Sequence, residues 1–304
     1  ELLFIFLTYI SGMSSGDSLE AIDIDFLYPT LDDPSFNERI AKKKEFFDTR
    51  YDGRIKPVEE EAERLCNADF ELAPHQLFVR NFLSFATPYN GLLLYHGLGS
   101  GKTCSAIGVG EEMREYLKQM GISQRIIVVA TPNVQDNFRT QLFDARRLKL
   151  VDGLWNIRAC TGNRFLKEIN PMNMRGLSKQ KVEKQIKRII NASYLFLGYI
   201  EFANYIAKVS AVSENEDARA SQNRLAKHFR NRLVIIDEIH NVRIADDSKD
   251  KKVAVELEKL VKKVRGIRLV LLSATPMYNS YREIIWLLNL LRKNDSRIGI
   301  KYTE

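Results

Sequence analysis

The chain has 304 residues, with 46 Lys and Arg against 39 Asp and Glu for a net charge of +7, and is 45% apolar and 28% charged. That is an ordinary globular composition, and it excludes collagen-like, mucin-like and fully disordered chains. At about 150 residues per domain the length allows one large domain or two small ones, with a core that needs neither disulfides nor a metal.

The first element is the apolar run Glu1–Ile10 (ELLFIFLTYI). It is too short for the roughly 20 residues of a membrane-spanning helix, and no basic segment precedes it. The expectation is neither signal peptide nor anchor. Because Met13 opens the polar stretch MSSGDS, residues 1–12 read as translated upstream sequence. Residues 1–72 carry 8 basic and 17 acidic side chains, net −9, and residues 73–304 carry the balancing +16. We read 1–72 as a solvated acidic leader in preference to a competitor for an anionic ligand, and 73–304 as the folded domain.

From residue 75 onward, short aliphatic runs alternate with amphipathic stretches, the rhythm of βαβ units. Strands are expected at Leu92–His96, Ile126–Thr131, Trp155–Cys160, Tyr194–Gly198, Leu233–Asp237 and Leu269–Ser273. Their nearly unbroken apolar runs fit strands buried on both faces, so the predicted fold is α/β, with a mostly parallel, doubly wound sheet. Between the first two strands Ala106, Val109, Met113 and Leu117 repeat at helical spacing. The basic stretch Pro171–Asn191 reads as an amphipathic helix, apolar at Val182, Ile186, Ile189 and Ile190 and charged at Lys179, Lys184, Lys187 and Arg188. Contact with nucleic-acid phosphates is one use for that face, but a solvated surface is the preferred reading.

After the first expected strand comes His96-Gly97-Leu98-Gly99-Ser100-Gly101-Lys102-Thr103, a phosphate-binding loop in its strand-loop-helix setting. Glycines let backbone N–H groups curl around phosphate oxygens and the helix N-terminus adds partial positive charge. Lys102 reaches the terminal phosphates, and the Thr103 hydroxyl can ligate Mg²⁺. His96 stands where such loops usually begin with Gly. The run Leu233-Val234-Ile235-Ile236 ends in Asp237 and Glu238. Asp237 would hold Mg²⁺ through water, and Glu238 would orient and deprotonate the water attacking a γ-phosphate. Ser273-Ala274-Thr275 closes the last expected strand.

Taken in order on successive strand tips, these segments resemble motifs I, II and III of superfamily 2 helicases and translocases. The resemblance implies a RecA-like ATP-binding domain in which Ser273, Ala274 and Thr275 relay nucleotide state to nucleic-acid grip. It also implies that His240, completing Asp-Glu-Ile-His, bonds toward Ser273 or Thr275. Ala73-Pro74-His75-Gln76 resembles the Q motif, with Gln76 reading adenine, and Thr131-Pro132-Asn133 resembles motif Ia, which grips the phosphodiester backbone. Leu197-Gly198-Tyr199-Ile200-Glu201-Phe202 takes the place of motif Ib with a loose match. Thr275 through Asn289 is similar to Swi2/Snf2 motors. Leu92–Cys104 and Leu27–Gly53 are similar to helicases of large nucleocytoplasmic DNA viruses, of the poxvirus early transcription factor small subunit and nucleoside triphosphate phosphohydrolase I type.

The implied cofactors are ATP and Mg²⁺. The implied partners are DNA or RNA and viral RNA polymerase or transcription-factor subunits, with no membrane, in a virion or a viral factory of the host cytoplasm. The stretch after Pro276 is far shorter than the roughly 150 residues of a second RecA-like domain, so the expectation is one lobe of a motor, inactive alone. A kinase or small NTPase would have no use for the Q-like and Ser-Ala-Thr segments. An ATP-binding transcription-factor subunit, or a translocase that separates no strands, is the standing alternative. Cys66, Cys104 and Cys160 are odd in number and widely spaced. They point to a reducing compartment without a disulfide or zinc framework.

Overall fold

A computed structural model describes residues 28–51, 53–54, 57–60, 63, 72–97, 99–212, 218–242, 248–277 and 280–301. The expectations for residues 1–12, for Leu98 and for Tyr278 and Asn279 lie outside the described residues. The chain divides into two compact units, residues 1–47 and 48–304. In the first, helices α1 (Phe36–Lys42) and α2 (Lys44–Phe47) bury Ile40 and Phe46. Asp33 and Arg39 pair at 2.6 Å, and the Tyr28 hydroxyl donates to Glu45.

The second unit begins its regular structure with α3 (Pro74–Phe82), β1 (Gly91–Tyr95) and α4 (Lys102–Gln119). β2 (Ile126–Val129) and α5 (Pro132–Leu142) follow, then a hairpin of β3 (Leu148–Val151) and β4 (Leu154–Ile157). After it come α6 (Arg164–Ile169), α7 (Lys179–Ser193), β5 (Tyr194–Leu197), α8 (Tyr199–Ser210) and α9 (Ala218–Phe229). β6 (Leu233–Ile236), a 3₁₀ turn at Ile239–Asn241, α10 (Ser248–Lys263), β7 (Arg268–Ser273) and α11 (Tyr281–Asn294) complete it.

Among the described residues the main sheet has the order β1-β7-β6-β2-β5, every neighbouring pair parallel. All residues of β2, β6 and β7 are buried, because helices cover both faces and each face therefore needs apolar side chains. Alternate residues Ile127, Val129, Val234, Ile236, Leu269 and Leu271 join Phe202, Phe229, Leu257 and Leu287 of α8, α9, α10 and α11 in one core. The alternation leaves Val128, Ile235 and Val270 for the other face, on the side of α4 and α5.

Two sequence expectations are corrected. The segment Trp155–Cys160 is not a strand of the parallel sheet: Leu154–Ile157 pairs antiparallel with Leu148–Val151 in a separate two-stranded sheet. Asp152 and Gly153 turn the chain between them with φ of +49° and +80°, the backbone signature of a tight Asp-Gly hairpin. The expectation of no disulfide also fails. Cys104, in the first turn of α4, and Cys160, after β4, are bonded with their Cα atoms 5.2 Å apart, a spacing a disulfide can span. Fifty-six residues separate the two in sequence, so the juxtaposition is a product of packing that spacing does not reveal.

The basic stretch forms α7, which starts at Ser178, whose side chain accepts from the Lys181 N–H. Val182, Ile186 and Ile190 are buried, while Lys181, Lys184, Lys187 and Arg188 are exposed. The parallel order sends the C-terminal ends of β1, β2, β5, β6 and β7 to one edge of the sheet. Loops there are free to present side chains, since the strand ends leave a crevice that the covering helices do not fill.

Candidate functional site

The loop after β1 is shaped by its glycines. Gly99 and Gly101 have φ of +80° and +77°, in the left-handed region that disfavours side chains. A Cβ on Gly97 or Gly99 would meet nothing within 4 Å, so the loop is an open cradle. A Cβ on Gly101 would lie 2.5 Å from Gln76 Nε2. Gly101 caps α4, which aims the partial positive charge of an 18-residue helix into that cradle. The Lys102 ammonium folds back over the loop, donating to the carbonyls of His96 at 2.7 Å and Gly97 at 3.3 Å. Ser100 Oγ also donates to Gly97 O, at 2.8 Å.

Gln76 binds this loop from the side. Its Oε1 accepts from the Ala73 N–H at 3.0 Å, and its Nε2 donates to Gly101 O at 3.3 Å. The side chain is 8% exposed, so its amide ties the start of α3 to the start of α4. His75 adds a second tie: Nε2 lies 3.0 Å from Ser100 O and Nδ1 2.8 Å from the Tyr51 hydroxyl. His75 and His96 meet edge to face with ring centroids 5.7 Å apart. Burial, with the nearby His75 and Lys102, holds the His96 imidazole below its ordinary pKa. His96 thus fills the position of the usual first glycine as a neutral ring against His75. His75 and Tyr51 both lie in segments that carry a family resemblance, but their pairing 24 residues apart has no signal in the sequence.

Asp237 and Glu238 follow β6, two strand positions from the cradle, with β7 between. Asp237 is buried, and desolvation together with the adjacent Glu238 charge pushes its carboxyl up to about 6, against the pull of Lys102 and the Glu238 N–H. Lys102 is therefore close enough to act on Asp237 through space. Glu238 has φ of +47° and ψ of +51°, unusual for a residue with a side chain and worth on the order of 1–3 kcal/mol of strain. Among the described residues its buried Oε2 has no hydrogen bond, although His240 Nδ1 stands 3.3 Å away. His240 Nδ1 is engaged instead with Ser273 Oγ at 2.9 Å, and Ser273 Oγ accepts from the Thr275 N–H at 3.0 Å. Ser273 is fully buried, Ala274 half-buried and Thr275 exposed.

Thr131, Pro132 and Asn133 continue β2 into α5 at the same edge, and all three are exposed. The structure thus brings the loop 97–103 (Leu98 aside), Gln76, Asp237, Glu238, His240 and Ser273 to one edge, with Thr131–Asn133 flanking them. The donor set fits a nucleotide with its metal. The cradle has room and helix-terminal N–H groups for phosphate, while the Thr103 hydroxyl and the Asp237 carboxylate are the hard oxygen ligands that Mg²⁺ selects. A separate hollow of about 380 Å³, lined by Leu77, Arg80, Gly108, Glu111, Cys160 and Arg164 among others, shares no residue with the cradle. Among the described residues no group of three or more His, Cys, Asp or Glu is arranged to hold a metal, and no helix is long and apolar enough to cross a membrane.

Comparison with known proteins reaches the same segment of chain. The family profile described as SNF2-related domain matches residues 62–296. The chain is 28% identical over 274 residues to a helicase-named protein, 087L, of Invertebrate iridescent virus 3, covering 87% of this chain and 24% of the relative. It is 27% identical over 277 residues to a protein named as an ATP-dependent RNA helicase, R563, of Acanthamoeba polyphaga mimivirus, covering 88% and 40%. An early transcription factor large subunit homolog of African swine fever virus is 25% identical over 263 residues, covering 71% and 24%. The chain therefore spans about a quarter to two fifths of the length of these relatives.

Proposed function

The chain belongs to the family of SNF2-related domains, and from that membership we propose that it is the ATP-binding lobe of a nucleic-acid-dependent motor. In this reading residues 73–304 form the RecA-like lobe, residues 1–72 an acidic leader, and a second lobe supplies the arginines that complete the ATPase centre. The observation that carries the reading is the convergence, at one sheet edge, of the Gly97–Thr103 cradle with Asp237, Glu238 and the His240–Ser273 pair.

Each residue has a defined task. The loop N–H groups and Lys102 hold the β and γ phosphates, with Lys102 exchanging its bonds to the His96 and Gly97 carbonyls for phosphate oxygens. Thr103 and Asp237 hold Mg²⁺, which when bound neutralises charge developing on the phosphates. Glu238, with one buried oxygen lacking a hydrogen bond, takes the proton of the attacking water. Gln76 reads adenine by exchanging one of its two present bonds, so that nucleotide binding and the α3–α4 tie are linked. His240, Ser273, Ala274 and Thr275 pass the nucleotide state on, and Thr131, Pro132 and Asn133 grip a DNA or RNA backbone. Catalysis of this kind is positioning plus electrostatics.

The organisms of the relatives support a viral motor working in transcription or genome handling, in a virion or a cytoplasmic viral factory, beside RNA polymerase or transcription-factor subunits. The name of the African swine fever virus relative favours a second reading, an ATP-binding transcription-factor subunit or a translocase that separates no strands. The test is ATP turnover by the full-length protein with and without DNA or RNA, run beside strand-displacement and translocation assays. Stimulated turnover abolished by Lys102→Ala supports the motor, translocation without displacement selects the translocase of the second reading, ATP binding without stimulated turnover selects the transcription-factor subunit and overturns the motor, and absence of ATP binding overturns both.

A further inference from the structure

Tyr199 is the first residue of α8, immediately beyond edge strand β5. Its hydroxyl donates to the carbonyl of Asp237 at 2.7 Å and lies 3.4 Å from the carbonyl of Glu238. These are the two carbonyls that flank the left-handed turn at Glu238. The contact crosses a whole strand. Leu197, Val129 and Ile236 lie level across β5, β2 and β6, and neighbouring strands are about 4.8 Å apart, so the backbone leaving β5 and the Tyr199 side chain together bridge two strand spacings. The terminal hydroxyl makes the contact, whereas Phe has the ring and no donor. The origin of the side chain is fixed, because Glu201 Oε2 accepts from the Gly198 N–H at 2.8 Å and staples the start of α8.

We propose that Tyr199 is a positioning residue of the ATPase centre: its hydroxyl clamps the Asp237 and Glu238 carbonyls, holding the strained Glu238 backbone so that the carboxylate faces the nucleotide. The inference rests on the reading of Glu238 as the general base and adds a residue to it. A left-handed Glu persists only where its surroundings over-determine it. Here the restraints are three: Tyr199 on the carbonyls, Asp237 Oδ1 accepting from the Glu238 N–H at 2.9 Å, and the Asn241 N–H donating to Glu238 O at 2.9 Å. A tyrosine hydroxyl is protonated at physiological pH, so the clamp is a donor.

The test is Tyr199→Phe, which removes one oxygen and keeps the ring. In the full-length protein kcat for ATP falls about tenfold while ATP affinity stays within about twofold, the split expected of a group that acts only on the reacting geometry. In the 304-residue chain, amide hydrogen exchange at residues 238–242 quickens about tenfold, with the melting temperature held. An unchanged kcat overturns the proposal. So does a loss of kcat matched by equal losses of ATP affinity and melting temperature, or unchanged exchange at 238–242. A full-length wild type that hydrolyses no ATP overturns the reading of Glu238 as base, and with it the catalytic meaning of Tyr199. In that case hydrogen exchange still decides whether the clamp exists.

Discussion

His240 Nδ1 lies 2.9 Å from Ser273 Oγ, joining the turn after β6 to the end of β7 through a single hydrogen bond. Ser273 Oγ already accepts from the Thr275 N–H, so its own proton is available to the imidazole and the pair is satisfied in more than one tautomer. In the proposed motor, a change at the nucleotide would reach the exposed Thr275 through these two side chains. His240→Ala and Ser273→Ala are each expected to lower nucleic-acid-stimulated ATP turnover about tenfold, with ATP affinity within a factor of two. In a double-mutant cycle the second change should add little to the first. Additive losses would show that the bond carries no coupling.

Glu238 and Lys102 are expected to fail differently. Glu238→Gln keeps the size of the side chain and loses the proton acceptor, so turnover should drop by on the order of 10² to 10⁴ while ATP stays bound. Lys102→Ala removes the phosphate-facing cation and should weaken ATP binding itself. Equilibrium binding of a fluorescent ATP analogue beside steady-state turnover separates the two, and loss of affinity in Glu238→Gln would exclude it as the base.

Gly101→Ala meets two obstacles together, a φ of +77° and a Cβ 2.5 Å from Gln76 Nε2. The backbone cost alone is about 1 kcal/mol. Adding Gln76→Ala removes the clash together with the two hydrogen bonds of the amide, so the double variant should lose less stability than the sum of the two single variants. Chemical denaturation of the three variants checks this, and additive losses would show that the clash is relieved without cost.

Reduction of Cys104–Cys160 should lower stability. A bond closing a loop of 56 residues restricts the unfolded chain by up to about 4 kcal/mol in the loop-entropy picture. Thermal melts with and without dithiothreitol should therefore differ in the wild type and coincide in Cys160→Ser. Non-reducing peptide mapping of protein purified under non-reducing conditions shows whether the bond forms. Finding both cysteines alkylatable under those conditions would remove it.

Asp295 sets a pH dependence. Burial pushes its carboxyl up to about 6, against Arg297 and an Asn90 hydrogen bond that lower it, while in the unfolded chain it titrates near the ordinary carboxylate value. Between these two values the folded protein binds more protons than the unfolded one, so this contribution to stability is present at about pH 4 and is lost as pH rises to about 6. Discounted for partial exposure, it amounts to about 1 kcal/mol. Asp295→Asn should stabilise the chain at pH 7 by that amount and flatten the profile between pH 4 and 6, measured by urea midpoints. A variant with the wild-type slope would exclude Asp295 as the source.

Much of the fold was legible before any coordinates. The strands of the main sheet are buried on both faces, and that requirement writes itself into the chain as unbroken apolar runs such as Ile126–Val129 and Leu233–Ile236. The shape of the loop after β1 was equally legible, because glycines at fixed places and a Lys-Thr pair at the start of a helix mark a tight turn between strand and helix. The hairpin of β3 and β4 carried a local signal too, in Asp152-Gly153, outweighed by the apolar run around Trp155. Local chemistry of this sort is decided within a few residues, so the sequence by itself determines it.

Tertiary structure alone decided what meets across the sheet. The order β1-β7-β6-β2-β5 sets Asp237 two strand positions from the cradle and lays the Tyr199 hydroxyl on the carbonyls of Asp237 and Glu238, and the packing of the chain after β4 on α4 brings Cys104 to Cys160. No spacing in the chain encodes these pairs, because they depend on register and crossovers between segments tens of residues apart. The positive φ of Glu238 belongs with them, since a strained backbone is held by neighbours in space.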